Sequence, residues 1–73
     1  MIIKVTSFIP YLEISHSEYE IEERTTIEEF VTQLGAIWDD DVLVVVNRYI
    51  VTDKQLQLQN EDEVKLFIPI SGG

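Results

Sequence analysis

No cysteine occurs in the 73 residues, which excludes a disulfide framework, a thiolate zinc site and a cysteine nucleophile supplied by this chain. A single histidine, His16, leaves no second imidazole to share a metal ion. Its neighbours Ser15 and Ser17 are too local to assemble a nucleophile, a base and an orienting group. Cations are scarce as well. Five Lys+Arg stand against fourteen Asp+Glu, a formal net charge of −9, so a phosphate backbone is repelled over most of the surface and no nucleic-acid partner is expected. Long apolar runs are missing: Val42-Leu43-Val44-Val45-Val46 falls far short of the ~20 residues of a membrane span. The start, Met1-Ile2-Ile3-Lys4-Val5, meets its first charge too soon for a signal peptide. A cytoplasmic protein without membrane contact is expected.

What is present suffices for one small folded domain over residues 1–73. Hydrophobic residues make up 45% and aromatics 10%, too many for a disordered acidic tail. A chain of about 60 residues buries only about 60% of its unfolded surface, which leaves little room for an interior catalytic cavity. An activity lent by a partner fits this size better than one residing here.

Periodicity sets out the elements. Ile2 to Ile9 is β-branched and aromatic with Lys4 and Thr6 on one parity, a strand ended by Pro10. Glu18, Glu20 and Glu22 alternate with Tyr19 and Ile21, a second strand that makes a hairpin with the first. Ile27, Phe30, Val31 and Leu34 then fall at i, i+3, i+4 and i+7, one stripe of a helix. Thr26 and Glu29 match a capping box, and Gly35 supplies the left-handed stop. The run Val42 to Val46 is apolar on both parities, as in a central strand covered on both sides or lying on an interface, and is expected to be the best-buried segment. Asn47-Arg48 reads as a tight turn into Tyr49-Ile50-Val51, because Asn tolerates positive φ. Thr52 to Glu61 reads as a loop anchored by Leu56 and Leu58. The last strand is Glu63 to Ile68, with Val64, Leu66 and Ile68 on one parity, stopped by Pro69.

A hairpin, a helix and further strands in this order specify an α+β chain of β-grasp type, as in ubiquitin-like proteins. A mixed sheet of four to five strands carries one helix across it. The first and last strands are expected to lie parallel and central, joined by a right-handed crossover. Topology alone does not name a function.

Chemistry enters at the end of the sequence, where Pro69-Ile70-Ser71 leads into Gly72-Gly73. Lacking Cβ atoms, two glycines pass through a slot that rejects other residues and present a carboxylate at the tip. Extended, the tail 69–73, read as flexible, spans roughly 17 Å at 3.3–3.6 Å per residue, enough to enter a partner's active site. A carboxylate is a poor electrophile. Its use as a carrier end requires activation, most simply adenylation by a partner with ATP, after which a sulfur or nitrogen nucleophile displaces AMP. The plain alternative is a frayed terminus, a chance Gly pair being an event of about 1 in 200 at one place.

The segment Asp41 to Gly73 resembles the C-terminal half of the sulfur-carrier family that includes the small subunit of molybdopterin synthase (MoaD) and the thiamine-pathway sulfur carrier (ThiS). The shared features are the apolar strand ending in Asn47, the start Asp62-Glu63-Val64 and the ending Pro69-Ile70-x-Gly72-Gly73. Over the first 40 residues the likeness is one of topology. The resemblance implies that an E1-like enzyme adenylates the Gly73 carboxylate and that a sulfur donor converts it to a thiocarboxylate. The sulfur then passes to a synthase, either the molybdopterin synthase large subunit or thiazole synthase. It implies no bound cofactor, ATP being used by the activating partner. Pro69 and Asp62-Glu63-Val64 favour the molybdopterin type. In one place the chain departs from the family: Glu61-Asp62 stands where Gly-Asp is usual. The remaining alternatives are a ubiquitin-like modifier conjugated through Gly73 and a β-grasp interaction subunit whose tail does no chemistry.

Parity places Phe67 on the sheet face away from the helix, where it forms an apolar docking patch with Pro69, Ile70 and Ser71. The alternative is a partly covered surface aromatic, and a slip of one residue reverses the assignment. Asp39-Asp40-Asp41 lacks the spaced ligands and glycine of a calcium loop and reads as solvated. His16 reads as a surface residue and Trp38 as a plug at the helix end. Arg48 and Lys65 are free to pair across strands or with a partner's carboxylates, at little gain in stability.

Overall fold

The computed structural model describes residues 1–14 and 16–68. Its elements are β1 (Ile2–Ser7), β2 (Glu18–Glu20), α1 (Ile27–Gln33), β3 (Leu43–Val46), β4 (Tyr49–Ile50) and β5 (Glu63–Phe67). They form one five-stranded sheet in the order β2-β1-β5-β3-β4. β1 and β5 are parallel neighbours, and every other pairing is antiparallel. This is the β-grasp topology, with β5 in the middle place.

Seven residues make a marginal helix on their own, so α1 depends on caps and packing. Its four orphan N–H groups are all met. Ile27 and Glu28 donate to the carbonyls of Leu56 and Lys54 at 2.8 and 3.2 Å, and the N-cap Thr26 N–H donates to Glu29 Oε1 at 3.5 Å. The fourth, from Glu29, goes to Thr26 Oγ1 at 3.2 Å within a complete capping box. At the other end Gly35, at φ +91°, donates to Thr32 and Ala36 donates to Val31, the paired bonds of a Schellman motif. Ile27, Phe30 and Val31 are driven against Ile3 and Val5 of β1, Val44 and Val46 of β3, and Val64 and Leu66 of β5.

Several boundaries differ from the sequence expectation. β1 stops at Ser7 instead of Ile9, because the Ser7 hydroxyl donates to the Leu12 carbonyl and accepts from the Ile9 N–H, bending the chain before Pro10. Ile9 still turns into the core. β5 ends at Phe67, and Ile68, expected to share the inward parity, is exposed. The run Val42 to Val46 is not the best-buried segment. Val42, Val44 and Val46 are covered, but Leu43 and Val45 face away from α1 and are only half-buried. One helix covers one face of the sheet, and the fully buried positions fall mostly on β1, β5 and α1, with Val44 the one that β3 contributes. In the 52–61 loop Leu58 is an anchor, whereas the Leu56 side chain is exposed and Leu56 is held through its backbone, its carbonyl accepting from the helix and its N–H donating to Asp53.

Candidate functional site

Parity along β5 divides its side chains cleanly. Val64 and Leu66 enter the core, while Glu63, Lys65 and Phe67 lie on the face opposite α1. Phe67 therefore projects as the alternation predicts. The register surrounds it with the outward residues of neighbouring strands: Leu43 is its partner on β3, and Val45 faces both Lys65 and Ile50.

On the other side of β5, Ser7 pairs with Leu66 and the Phe8 N–H donates to the Leu66 carbonyl at 2.8 Å. That extension lays the Phe8 ring flat on Phe67, with centroids 4.7 Å apart and planes 2° from parallel. Phe8 is 54% exposed nonetheless. The result is an apolar strip of Phe8, Phe67, Leu43, Val45 and Ile50 at the end of the sheet from which β5 runs on toward residues 69–73. Phe8 was not singled out in the sequence. Its signal was the shared parity with Lys4 and Thr6, and its meeting with Phe67 follows only from the parallel β1–β5 register.

Toward the start of β5 the same face is charged. Lys65 pairs with Glu63 on its own strand at 3.3 Å, both well exposed, and Lys4 stands opposite Glu63 and Glu18. Arg48 occupies the β3–β4 turn at φ 76°, beside Asn47 at φ 51°, the two positive values of a type I′ hairpin.

That end is also stitched down by side chains. Asn47 Nδ2 donates to Asp62 Oδ1 at 2.7 Å, and Asn47 Oδ1 accepts from the Glu63 N–H at 2.9 Å. Asp62 Oδ2 accepts from the Gln59 N–H at 2.8 Å, and Asn60 Oδ1 accepts from the Ile2 N–H at 2.8 Å. Glu61 sits at φ 70° between them, the left-handed conformation that a glycine takes without strain.

Of the residues expected to carry chemistry or docking, Phe67 is placed as described, whereas Pro69, Ile70, Ser71, Gly72 and Gly73 lie outside the described residues. His16 is exposed and touches Tyr19 edge-on at 6.1 Å. The Asp39 carboxylate accepts from the Asp41 N–H at 2.9 Å, a local turn bond on an exposed loop. Trp38 packs against the core as expected, with the Lys54 ammonium donating to its carbonyl at 3.0 Å and standing 5.6 Å from its ring.

The family model described as ThiS family matches residues 5–73, from within β1 through Gly73. The chain belongs to the ThiS family. Membership places it in a family of ubiquitin-like sulfur carriers. No curated protein matches the sequence. Among solved structures, the crystal structure of SAMP1 from Haloferax volcanii is similar at a TM-score of 0.74 and 19% identity, covering 100% of both chains. At that identity the likeness is one of fold, and it agrees with a ThiS-type β-grasp. Among the described residues no helix is long and apolar enough to cross a membrane.

Proposed function

We propose that this chain is a sulfur carrier acting as a protein cosubstrate, with the Gly73 carboxylate as its working group. An E1-like partner joins that carboxylate to the α-phosphate of ATP, releasing pyrophosphate. A sulfur donor then displaces AMP and leaves a thiocarboxylate. The carrier delivers its sulfur to a synthase of cofactor biosynthesis, the molybdopterin type being favoured over the thiamine type on Pro69 and Asp62-Glu63-Val64. Phe67, Phe8 and the neighbouring apolar residues dock against the partner while Pro69 to Gly73 reach its active site. The catalytic groups and the ATP site belong to the partner.

The observation that carries this reading is the family match running through Gly73, combined with a stacked aromatic pair made by Phe67, on the strand that leads there, and the exposed Phe8 beside it. Aromatic anchors in an apolar patch with a charged rim are what a docking partner grips. The test is intact-mass analysis after incubation with an active E1-like enzyme, ATP and sulfide. One oxygen-for-sulfur exchange is expected, lost on deleting Gly73, and an unshifted mass beside a proven active enzyme overturns the proposal. Higher-mass conjugates in extract that vanish with Gly73 would assign the tail to protein modification instead.

A further inference from the structure

The opposite layer of the molecule carries a second apolar feature that this function does not use. Beyond α1 the Schellman bonds of Gly35 and Ala36 hold the chain in a fixed exit. The next residue, Ile37, is 79% exposed. It is not a loose end: its carbonyl accepts from the Asp39 N–H at 3.1 Å, and the Asp39 carbonyl accepts from Val42 at 3.1 Å. Beside it Trp38 is half-buried and fixed by Lys54. Together with Ala36, Thr32, Glu28 and Glu29 they line an open groove of about 560 Å³ along the helix.

Isolated exposed apolar residues are normal on small proteins. An isoleucine held outward beside a half-buried tryptophan, on the wall of a groove, is a grouped feature. Its charge is of one sign. Glu28 and Glu29 form one wall, Asp39 and Asp40 follow Trp38 directly, no lining residue is basic, and the last turn of α1 has no cation. The Lys54 ammonium, held by the Trp38 carbonyl and 5.6 Å from the Trp38 ring, is a neighbouring cation that does not line the groove.

We propose that this helix-side groove is a docking site for a basic segment of a partner protein, one that sets an aliphatic side chain on Ile37 and Trp38 and lysine or arginine beside Glu28 and Glu29. Carboxylate walls steer a cationic segment in and discriminate against acidic ones, and the apolar floor supplies the anchor. The groove and the Phe8–Phe67 strip lie on opposite layers, so the chain can be held here while its sheet face is occupied. The inference is independent of whether Gly73 carries sulfur.

Titrating the isotope-labelled chain with a synthetic peptide of alternating lysine and leucine, followed by amide shifts, tests it. Perturbations are expected to centre on Thr32, Ala36, Ile37 and the Trp38 indole, with the alternating glutamate–leucine peptide inert. Ile37→Ser should weaken binding about tenfold, the size of losing one anchor, and Glu28→Gln should reduce its salt dependence. Both sites are on the surface, and an otherwise unchanged amide spectrum verifies the fold. Removing Gly73 should leave binding intact. The proposal is overturned by absent binding, by shifts centred on Phe8 and Phe67 or spread over Glu18 to Glu23, or by Ile37→Ser binding as tightly as the parent.

Discussion

The two ends of β5 are held by different forces. At its start, Asn47, Asp62 and Asn60 tie the strand to the β3–β4 turn, to Gln59 and to β1 through side-chain hydrogen bonds. At its end the outer face carries a stacked pair of phenylalanines, one more than half exposed. Hydrogen bonds are directional and fix a register, whereas an exposed aromatic pair keeps much of its apolar surface available to something else. The strand is thus pinned where it enters the sheet and presented where it leaves.

The polar end offers the larger stability effect. Asp62→Ala removes both acceptors, those of Asn47 Nδ2 and the Gln59 N–H, and hydrogen bonds to a charged group are worth about 1.5–3 kcal/mol net. A loss of about 2 kcal/mol in urea unfolding is expected. Asp62→Asn keeps one oxygen and should lose about half as much, since its amide NH2 cannot accept. Equal losses for the two variants would mean that packing, not the paired acceptors, matters at this position.

Substitution at the aromatic end should separate stability from binding. Phe67→Ala forfeits a stacked contact worth about 0.5–1.5 kcal/mol, yet it should raise the activating enzyme's KM for the carrier about tenfold while leaving kcat little changed, the mark of lost docking. Phe8→Ala should do the same, and the double variant should cost less than the sum, because the rings act as one surface. A full loss of stability with an unchanged KM would reassign the pair to folding alone.

How far these features could be read beforehand depends on the range of the interaction that makes them. The capping box of Thr26 and Glu29, the stop at Gly35 and the turn at Asn47-Arg48 are written within a few residues, and each forms as its local chemistry dictates. The burial of Val42 to Val46 was misjudged because a run apolar on both parities reports no cover. Among the described residues no second layer covers the outer face, and Leu43 and Val45 stay half-exposed. The carbonyls of Lys54 and Leu56 that cap α1 leave no side-chain signal at all. At the candidate site Phe67 was legible from alternation. Phe8 required the pairing of two strands separated by most of the chain, and the tail of glycines was legible only as sequence.

The smallest effect concerns Glu61, where the resemblance to the sulfur-carrier family leads to the expectation of a glycine. Glu61 holds φ 70°, in the left-handed region that costs a residue with a Cβ roughly 1–2 kcal/mol. Its N–H donates to the Ile2 carbonyl at 2.6 Å, a backbone bond that any residue except proline can make, and its side chain is exposed. Glycine at this position releases the strain but adds backbone freedom to the unfolded chain, a penalty of about 0.4–1 kcal/mol. The difference predicts that Glu61→Gly stabilises the fold by about 0.5 kcal/mol, measurable as a raised urea midpoint at unchanged slope. Glu61→Ala retains the Cβ and the strain, so it should leave the midpoint nearly where it is. If Ala stabilises as much as Gly, the gain comes from removing one of fourteen acidic side chains, and the turn is not strained.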